Sequence, residues 1–192
     1  MRIHDLLEID AGRFPQTAPQ WVPGSLQRTP FVVVCRGDVT DDGVPVGVRG
    51  ASRSERWATV LHRNLIKRVL TPQALLCLEI PDHMPALRAL RLLKDRWHCN
   101  WGPGGSVGFE LATGAATVTP TSDLDAVIYA SEPIDVSEAR DLLDSTRGLP
   151  AAVDVRVETP RVGFSLAEYA QGTKLLLKTP QGAIIGTNPW TL

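Results

Sequence analysis

The spacing of apolar and polar positions changes several times along the chain, and each rhythm predicts an element. Phe31-Val32-Val33-Val34-Cys35 is a short apolar run suited to a buried strand. Asp41-Asp42-Gly43 reads as a turn, and Val44-Pro45-Val46-Gly47-Val48 as an edge strand, since an edge tolerates Pro45. Trp57, Leu61, Leu65 and Val69 recur every four residues behind a Ser52/Glu55 capping-box spacing. That pattern predicts a helix from near Arg53 to Leu70. Thr71-Pro72 and Pro81 then interrupt the chain, and the domain junction is placed near residue 80, giving units 1–79 and 80–192.

In the second unit Leu87, Leu90, Leu93 and Trp97 line one side of a helix starting after Asp82, and Asn100 to Gly105 breaks it. Ser106 to Ala112 and Ala115 to Thr119 read as a hairpin around Thr113-Gly114. Leu124 to Ala130 is an apolar strand. Asp135 and Glu138 start a helix carrying Val136, Ala139, Leu142 and Leu143, which ends at Arg147-Gly148. Ala151 to Glu158 alternates as a strand. A short capped helix at Ser165-Leu166-Ala167-Glu168 and a hairpin from Lys174 to Gly186 around Pro180-Gln181-Gly182 close the chain.

Composition narrows the function classes. With 43% hydrophobic and 21% charged residues among 192, the chain can build a full core. A net charge of -1 excludes a general nucleic-acid binder, whose phosphate contacts need a basic excess. No run approaches the ~20 apolar residues of a membrane helix, and Met1-Arg2-Ile3-His4-Asp5 lacks the apolar core of a secretion signal. Cys35, Cys77 and Cys99 have no metal-binding spacing; Cys35 and Cys77 lie in apolar surroundings expected to be buried. The four histidines are scattered. The expectation is a cytoplasmic protein with neither a structural disulfide nor a zinc site.

The candidate chemistry lies in the second unit. In a strand, Asp123 and Asp125 of Ser122-Asp123-Leu124-Asp125 point to one face while Leu124 and Ala126 point to the other. Two adjacent carboxylates repel, and a divalent cation stabilises them together; Mg²⁺ suits an oxygen site completed by phosphate. Gly104 and Gly105 would let backbone N–H groups approach a polyphosphate, with the Ser106 hydroxyl as an added donor. Asp154, on an alternating strand with Arg156 and Glu158, is placed either as a further ligand or as the base that accepts a proton. Arg49, Arg53 and Arg56, at the start of the predicted helix, are a second anion site, with surface ion pairs as the competing reading. Arg88, Arg91, Lys94 and Arg96 form a basic helix face, either a docking surface or a solvated one.

The order helix, Gly-Ser, hairpin, Asp-x-Asp, helix, Asp strand resembles the nucleotidyltransferase (polymerase beta-like) superfamily. There Gly-Ser binds phosphates and three carboxylates manage two metals. Trp101-Gly102-Pro103-Gly104-Gly105-Ser106-Val107-Gly108-Phe109-Glu110-Leu111-Ala112-Thr113-Gly114 with Ser122-Asp123-Leu124-Asp125 is similar to one family more closely. That family is the malonate decarboxylase holo-acyl carrier protein synthases, or phosphoribosyl-dephospho-CoA transferases. The likeness extends to His4-Asp5-Leu6-Leu7, to Pro45-Val46-Gly47-Val48-Arg49-Gly50, to Val157-Glu158-Thr159-Pro160 and to Pro189-Trp190. One departure from the superfamily is the gap of sixteen residues between Ser106 and Asp123.

The resemblance implies an α+β protein: a nucleotidyltransferase-like mixed sheet with packed helices, preceded by a small α/β amino-terminal domain. It implies transfer of a phosphoribosyl-dephospho-CoA unit from triphosphoribosyl-dephospho-CoA to a serine of the apo acyl carrier protein of malonate decarboxylase, releasing pyrophosphate. Mg²⁺ would sit on Asp123, Asp125 and Asp154. Two other readings compete: transfer of AMP to a protein or small molecule, and a non-enzymatic nucleotide-sensing module.

Overall fold

The structure is a computed structural model that describes residues 1–14, 18–52 and 54–191, so Arg53 lies outside the described residues. The chain divides into two units, Met1–Thr71 and Pro72–Leu192. The junction thus falls at Thr71-Pro72, earlier than the position near residue 80 read from Pro81.

The first unit corrects the sequence reading most. Instead of a helix over 53–70, two strands flank a short 3₁₀ turn at Arg63–Leu65. A four-residue apolar spacing is also a multiple of two, so Trp57 and Leu61 share a strand face as readily as a helix face. The strand β4 (Arg56–His62) alternates exposed and covered positions in this way. Ser52 and Glu55 do interact, the Ser52 N–H donating to Glu55 Oε2 at 3.0 Å. That bond closes a turn between β3 (Gly43–Arg49) and β4 rather than capping a helix.

With β1 (Leu6–Ile9), β2 (Phe31–Val34) and β5 (Ile66–Leu70), the strands form a sheet of order β4-β3-β2-β1-β5. Every pairing in it is antiparallel, so the expected α/β unit is an α+β one. Nor is β3 an edge strand. It tolerates Pro45 because the N–H it lacks would face the position beside Cys35, where β2 has already ended; the Cys35 N–H still donates to the Pro45 carbonyl at 3.0 Å. The helix α1 (Trp21–Arg28) has no counterpart in the sequence reading, since Pro23 and Gly24 obscure it. Val22 and Leu26, one helical turn apart, seat it on Leu7, Val32, Val46 and Val48.

In the second unit α2 (Pro72–Leu75) and α3 (Pro85–Arg96) precede a six-stranded mixed sheet. Its order is β11-β10-β9-β8-β7-β6, from β6 (Trp101–Pro103), β7 (Leu124–Tyr129), β8 (Val153–Glu158), β9 (Gly163–Ser165), β10 (Leu175–Thr179) and β11 (Gly182–Gly186). The parallel pair β7–β8 is bridged by α5 (Val136–Asp144), as a parallel connection requires. Here the strands expected over 124–130 and 151–158, the helix α3, the short helix α6 (Leu166–Tyr169) and the final hairpin stand. Leu124, Ala126 and Ile128 of β7 meet Leu87, Leu90 and Leu93 of α3, with Val155, Val157 and Phe164 completing the core. No helix among the described residues is long and apolar enough to cross a membrane.

Asp5, ahead of β1, is almost fully buried. Its Oδ2 accepts the Arg2 N–H at 2.7 Å, while Oδ1 has no partner. Burial therefore pushes its carboxyl above the ordinary carboxylate range, against smaller opposing effects of the Arg2 hydrogen bond and charge. A raised acid binds protons more readily folded than unfolded. Its contribution is fully present below the unfolded pKa and is lost as pH rises through the folded one. Denaturant titrations between about pH 4 and pH 7 should show wild-type stability falling, relative to Asp5→Asn, as pH increases. A constant difference across that range would refute it.

Candidate active site

The predicted hairpin over 106–119 is a helix, α4 (Gly105–Thr113). Val107, Phe109 and Leu111 alternate as in a strand, but Val107, Gly108, Phe109 and Glu110 are all buried, so the segment is wrapped by core on several sides. Gly114, in the left-handed conformation at φ 72°, is the helix's carboxyl cap rather than a hairpin turn. Glycines permit the close approach. A Cβ on Gly102 would lie 2.2 Å from the Pro72 carbonyl, and one on Gly108 would lie 2.7 Å from that of Pro103.

The long stretch between Ser106 and Asp123 is absorbed by this helix and by a return loop fastened to it. Buried Glu110 accepts the N–H groups of Thr117 at 2.7 Å and Val118 at 2.8 Å through Oε2, and Oε1 lies 3.2 Å from His83 Nε2. The Thr117 hydroxyl donates to the Ser106 carbonyl at 2.9 Å. A turn closed by Thr119 and Ser122 then delivers Asp123. Sequence spacing missed this use of Glu110, because a glutamate in an apolar helix carries no mark of its partners. Glu110→Ala leaves two backbone donors without an acceptor and should cost about 2–4 kcal/mol. Urea denaturation showing a loss below about 0.5 kcal/mol would contradict this.

On the sheet, Leu124, Ala126 and Ile128 point into the core, so Asp125, Val127 and Tyr129 take the opposite face. In the parallel ladder Asp125 is the direct partner of Asp154, and Val127 of Arg156. Asp125 and Asp154 therefore stand side by side on one face. Asp123 lies just outside β7, exposed. Among the described residues no three His, Cys, Asp or Glu side chains are gathered closely enough to hold an ion by themselves. The pair formed by Asp125 and Asp154 still fits Mg²⁺, which takes one or two carboxylates and completes its shell with water and substrate phosphates.

Beside Asp125 is the amino end of α4. The Gly104 N–H is engaged with the Asp125 carbonyl at 2.8 Å, so it is not the phosphate donor the sequence reading made it. The next N–H groups, of Gly105, Ser106 and Val107, are the first of the helix and have no partner within it. Gly105 has φ 56°, and a Cβ there would lie 1.7 Å from Asp125 Oδ2. Only glycine lets the carboxylate and the helix end meet. Gly105→Ala is expected to displace the Asp125 carboxylate and reduce turnover at least tenfold, with α-helical content retained; near-normal turnover would refute the close approach.

Elsewhere the expected residues are placed differently. Arg49 and Arg56 are directly opposed on β3 and β4, so the helix end that motivated an anion site there does not exist. On α3, Arg88 and Arg91 donate to the carbonyls of Asp82 and Ile80, and Arg96 to that of Ser145. These bonds tie the helix to its neighbours and favour the reading as an ordinary surface face. Cys77 is exposed, not buried as its apolar neighbours suggested.

Comparison with known proteins settles the class. Residues 73–189 match the profile of the phosphoribosyl-dephospho-CoA transferase MdcG carboxyl-terminal domain, and residues 2–72 that of its amino-terminal domain. The chain belongs to the phosphoribosyl-dephospho-CoA transferase family. It is 36% identical to a phosphoribosyl-dephospho-CoA transferase of Klebsiella pneumoniae subsp. pneumoniae, covering 98% of this chain and 96% of that one. It is 35% identical to one from Pseudomonas aeruginosa (98% and 93% covered) and 34% to one from Pseudomonas fluorescens (97% and 92%). No solved structure matches the chain. The family junction at 72–73 falls within one residue of the boundary between the two structural units.

Proposed function

We propose that this transferase moves the phosphoribosyl-dephospho-CoA group from 2'-(5''-triphosphoribosyl)-3'-dephospho-CoA to a serine of the apo acyl carrier protein of malonate decarboxylase, releasing pyrophosphate. The observation that carries the reading is the in-register pairing of Asp125 with Asp154 beside the amino end of α4. The order β6, Gly-Gly-Ser, α4, Asp123, β7 with Asp125, α5, β8 with Asp154 supports a polymerase beta-like arrangement of the second unit.

In this reading Asp125 and Asp154, with Asp123 just ahead of β7, would hold Mg²⁺. Mg²⁺ supplies neutralisation of charge on the triphosphate and on the departing pyrophosphate. The Gly105 and Ser106 N–H groups, with the Ser106 hydroxyl, bind phosphate oxygens at the positive end of α4. Asp154, on the same sheet face as Asp125, would accept the proton of the carrier serine as its oxygen attacks. The serine oxygen bonds to the phosphorus nearest the ribose, and the bond from that phosphorus to pyrophosphate breaks. Arg49 and Arg56, opposed like charges on one sheet face, gain from an anion between them, which fits a role in holding the dephospho-CoA phosphates. A cytoplasmic setting suits the exposed thiols of Cys77 and Cys99.

Mass spectrometry of a candidate apo carrier, incubated with enzyme, Mg²⁺ and precursor, should show one prosthetic group added. Asp123→Ala and Asp125→Ala should abolish that addition with folding intact, and Arg49→Ala should weaken precursor binding with little change in kcat. Normal pyrophosphate release by either aspartate variant would refute the site. Modification with ATP but not with the precursor would replace the substrate.

A further inference from the structure

Arg156 belongs to the same face as the two carboxylates, two residues along from them: it pairs across the ladder with Val127, while Asp154 pairs with Asp125. Its Nη2 donates to Asp154 Oδ2 at 3.1 Å. Beyond it on β8 stands buried Glu158, and the β9 residue opposite is Ser165. A cation is thus already seated against one member of a carboxylate pair that has every electrostatic reason to attract one. With side chains 34% and 40% exposed, the ion pair is solvent-screened and weak, so exchanging it costs little.

We infer that Arg156 is a partner-switching residue: it compensates Asp154 while the metal ion is absent, and grips the polyphosphate of the substrate once the ion takes its place. This rests on the reading of Asp125 and Asp154 as the ion site and deepens it. Like charges in register on adjacent strands destabilise one another, and the guanidinium relieves that repulsion in the unloaded protein. A divalent ion on both carboxylates displaces it. The released guanidinium, held on a strand facing the same side, then has a planar fork suited to two phosphate oxygens. Arg156 is in this sense both a competitor of the ion and a ligand of the substrate.

The two roles predict effects of opposite sign. Calorimetric titration of Mn²⁺ into the full-length protein without substrate should show Arg156→Gln binding the ion about two- to fivefold more tightly than wild type. Tripolyphosphate, titrated in saturating Mn²⁺, should bind Arg156→Gln about ten- to a hundredfold more weakly. Arg156→Lys, which keeps the charge but not the fork, should bind the ion as wild type does and tripolyphosphate more weakly. It also guards against a folding defect in the glutamine variant. A merely structural arginine would move neither affinity, or lower both. Equal ion affinity in wild type and Arg156→Gln, or unchanged tripolyphosphate affinity in both variants, would overturn the proposal and leave the ion site standing. Absence of Mn²⁺ binding by wild type, with Asp125→Asn indistinguishable from it, would overturn both.

Discussion

A parallel pair of strands leaves no choice about which residues become neighbours once one register is set. Leu124 opposite Val153, Ala126 opposite Val155 and Ile128 opposite Val157 fill one core, and a slip of one residue would turn that whole apolar set away from it. The same register that buries these side chains forces Asp125 against Asp154 on the other face. The carboxylate pair is therefore held by hydrophobic burial acting on the intervening residues. That separation of tasks lets two repelling charges persist, since the energy holding them lies in side chains they never touch.

The helix α4 depends on that arrangement and completes it. It can approach β7 only because Gly105 carries no side chain where Asp125 Oδ2 lies, and the end of β6 only because Gly108 carries none against the Pro103 carbonyl. Its amino end then places positive partial charge beside a negative pair. Glu110, one helical turn past Ser106, fastens the return loop, so the segment leading to Asp123 is tethered to the helix whose start faces Asp125. Gly-Gly-Ser and Asp-x-Asp, distant in sequence, are thus two ends of one fastened unit.

Much of the second unit is legible in the sequence because its apolar spacings are unambiguous. Leu87, Leu90 and Leu93 fit only a helix, and Val153, Val155 and Val157 only a strand. In the first unit the stripe Trp57, Leu61, Leu65, Val69 satisfies both periods, and the Ser52/Glu55 pair that closes a turn has the spacing of one that starts a helix. Over Ser106–Thr113 the ambiguity runs the other way. A helix buried around much of its circumference has no polar stripe, so alternating Val107, Phe109 and Leu111 imitate a strand. The Asp125–Asp154 partnership is visible in the sequence only as shared sidedness, because register depends on the length and path of the α5 crossover, which local pattern does not encode. Arg49 and Arg56 stand out in the sequence for a reason the fold removes, yet they are directly opposed across a hairpin.

The two faces of the six-stranded sheet show what this division means for charge. One face takes most of the unit's buried apolar β-side chains and packs them against α3. The other carries Asp125, Asp154, Arg156, Glu158 and Lys178, both signs interleaved on neighbouring strands. A face of one sign would attract either a metal ion or a polyphosphate but repel the other. Interleaving suits the two together: in the proposed reading the carboxylates would take the ion, and the guanidinium and helix end the phosphates. Any substrate whose reaction must bring a divalent ion and a triphosphate into contact needs such a mixed surface, and a sheet that sends every second residue outward supplies it without disturbing its core.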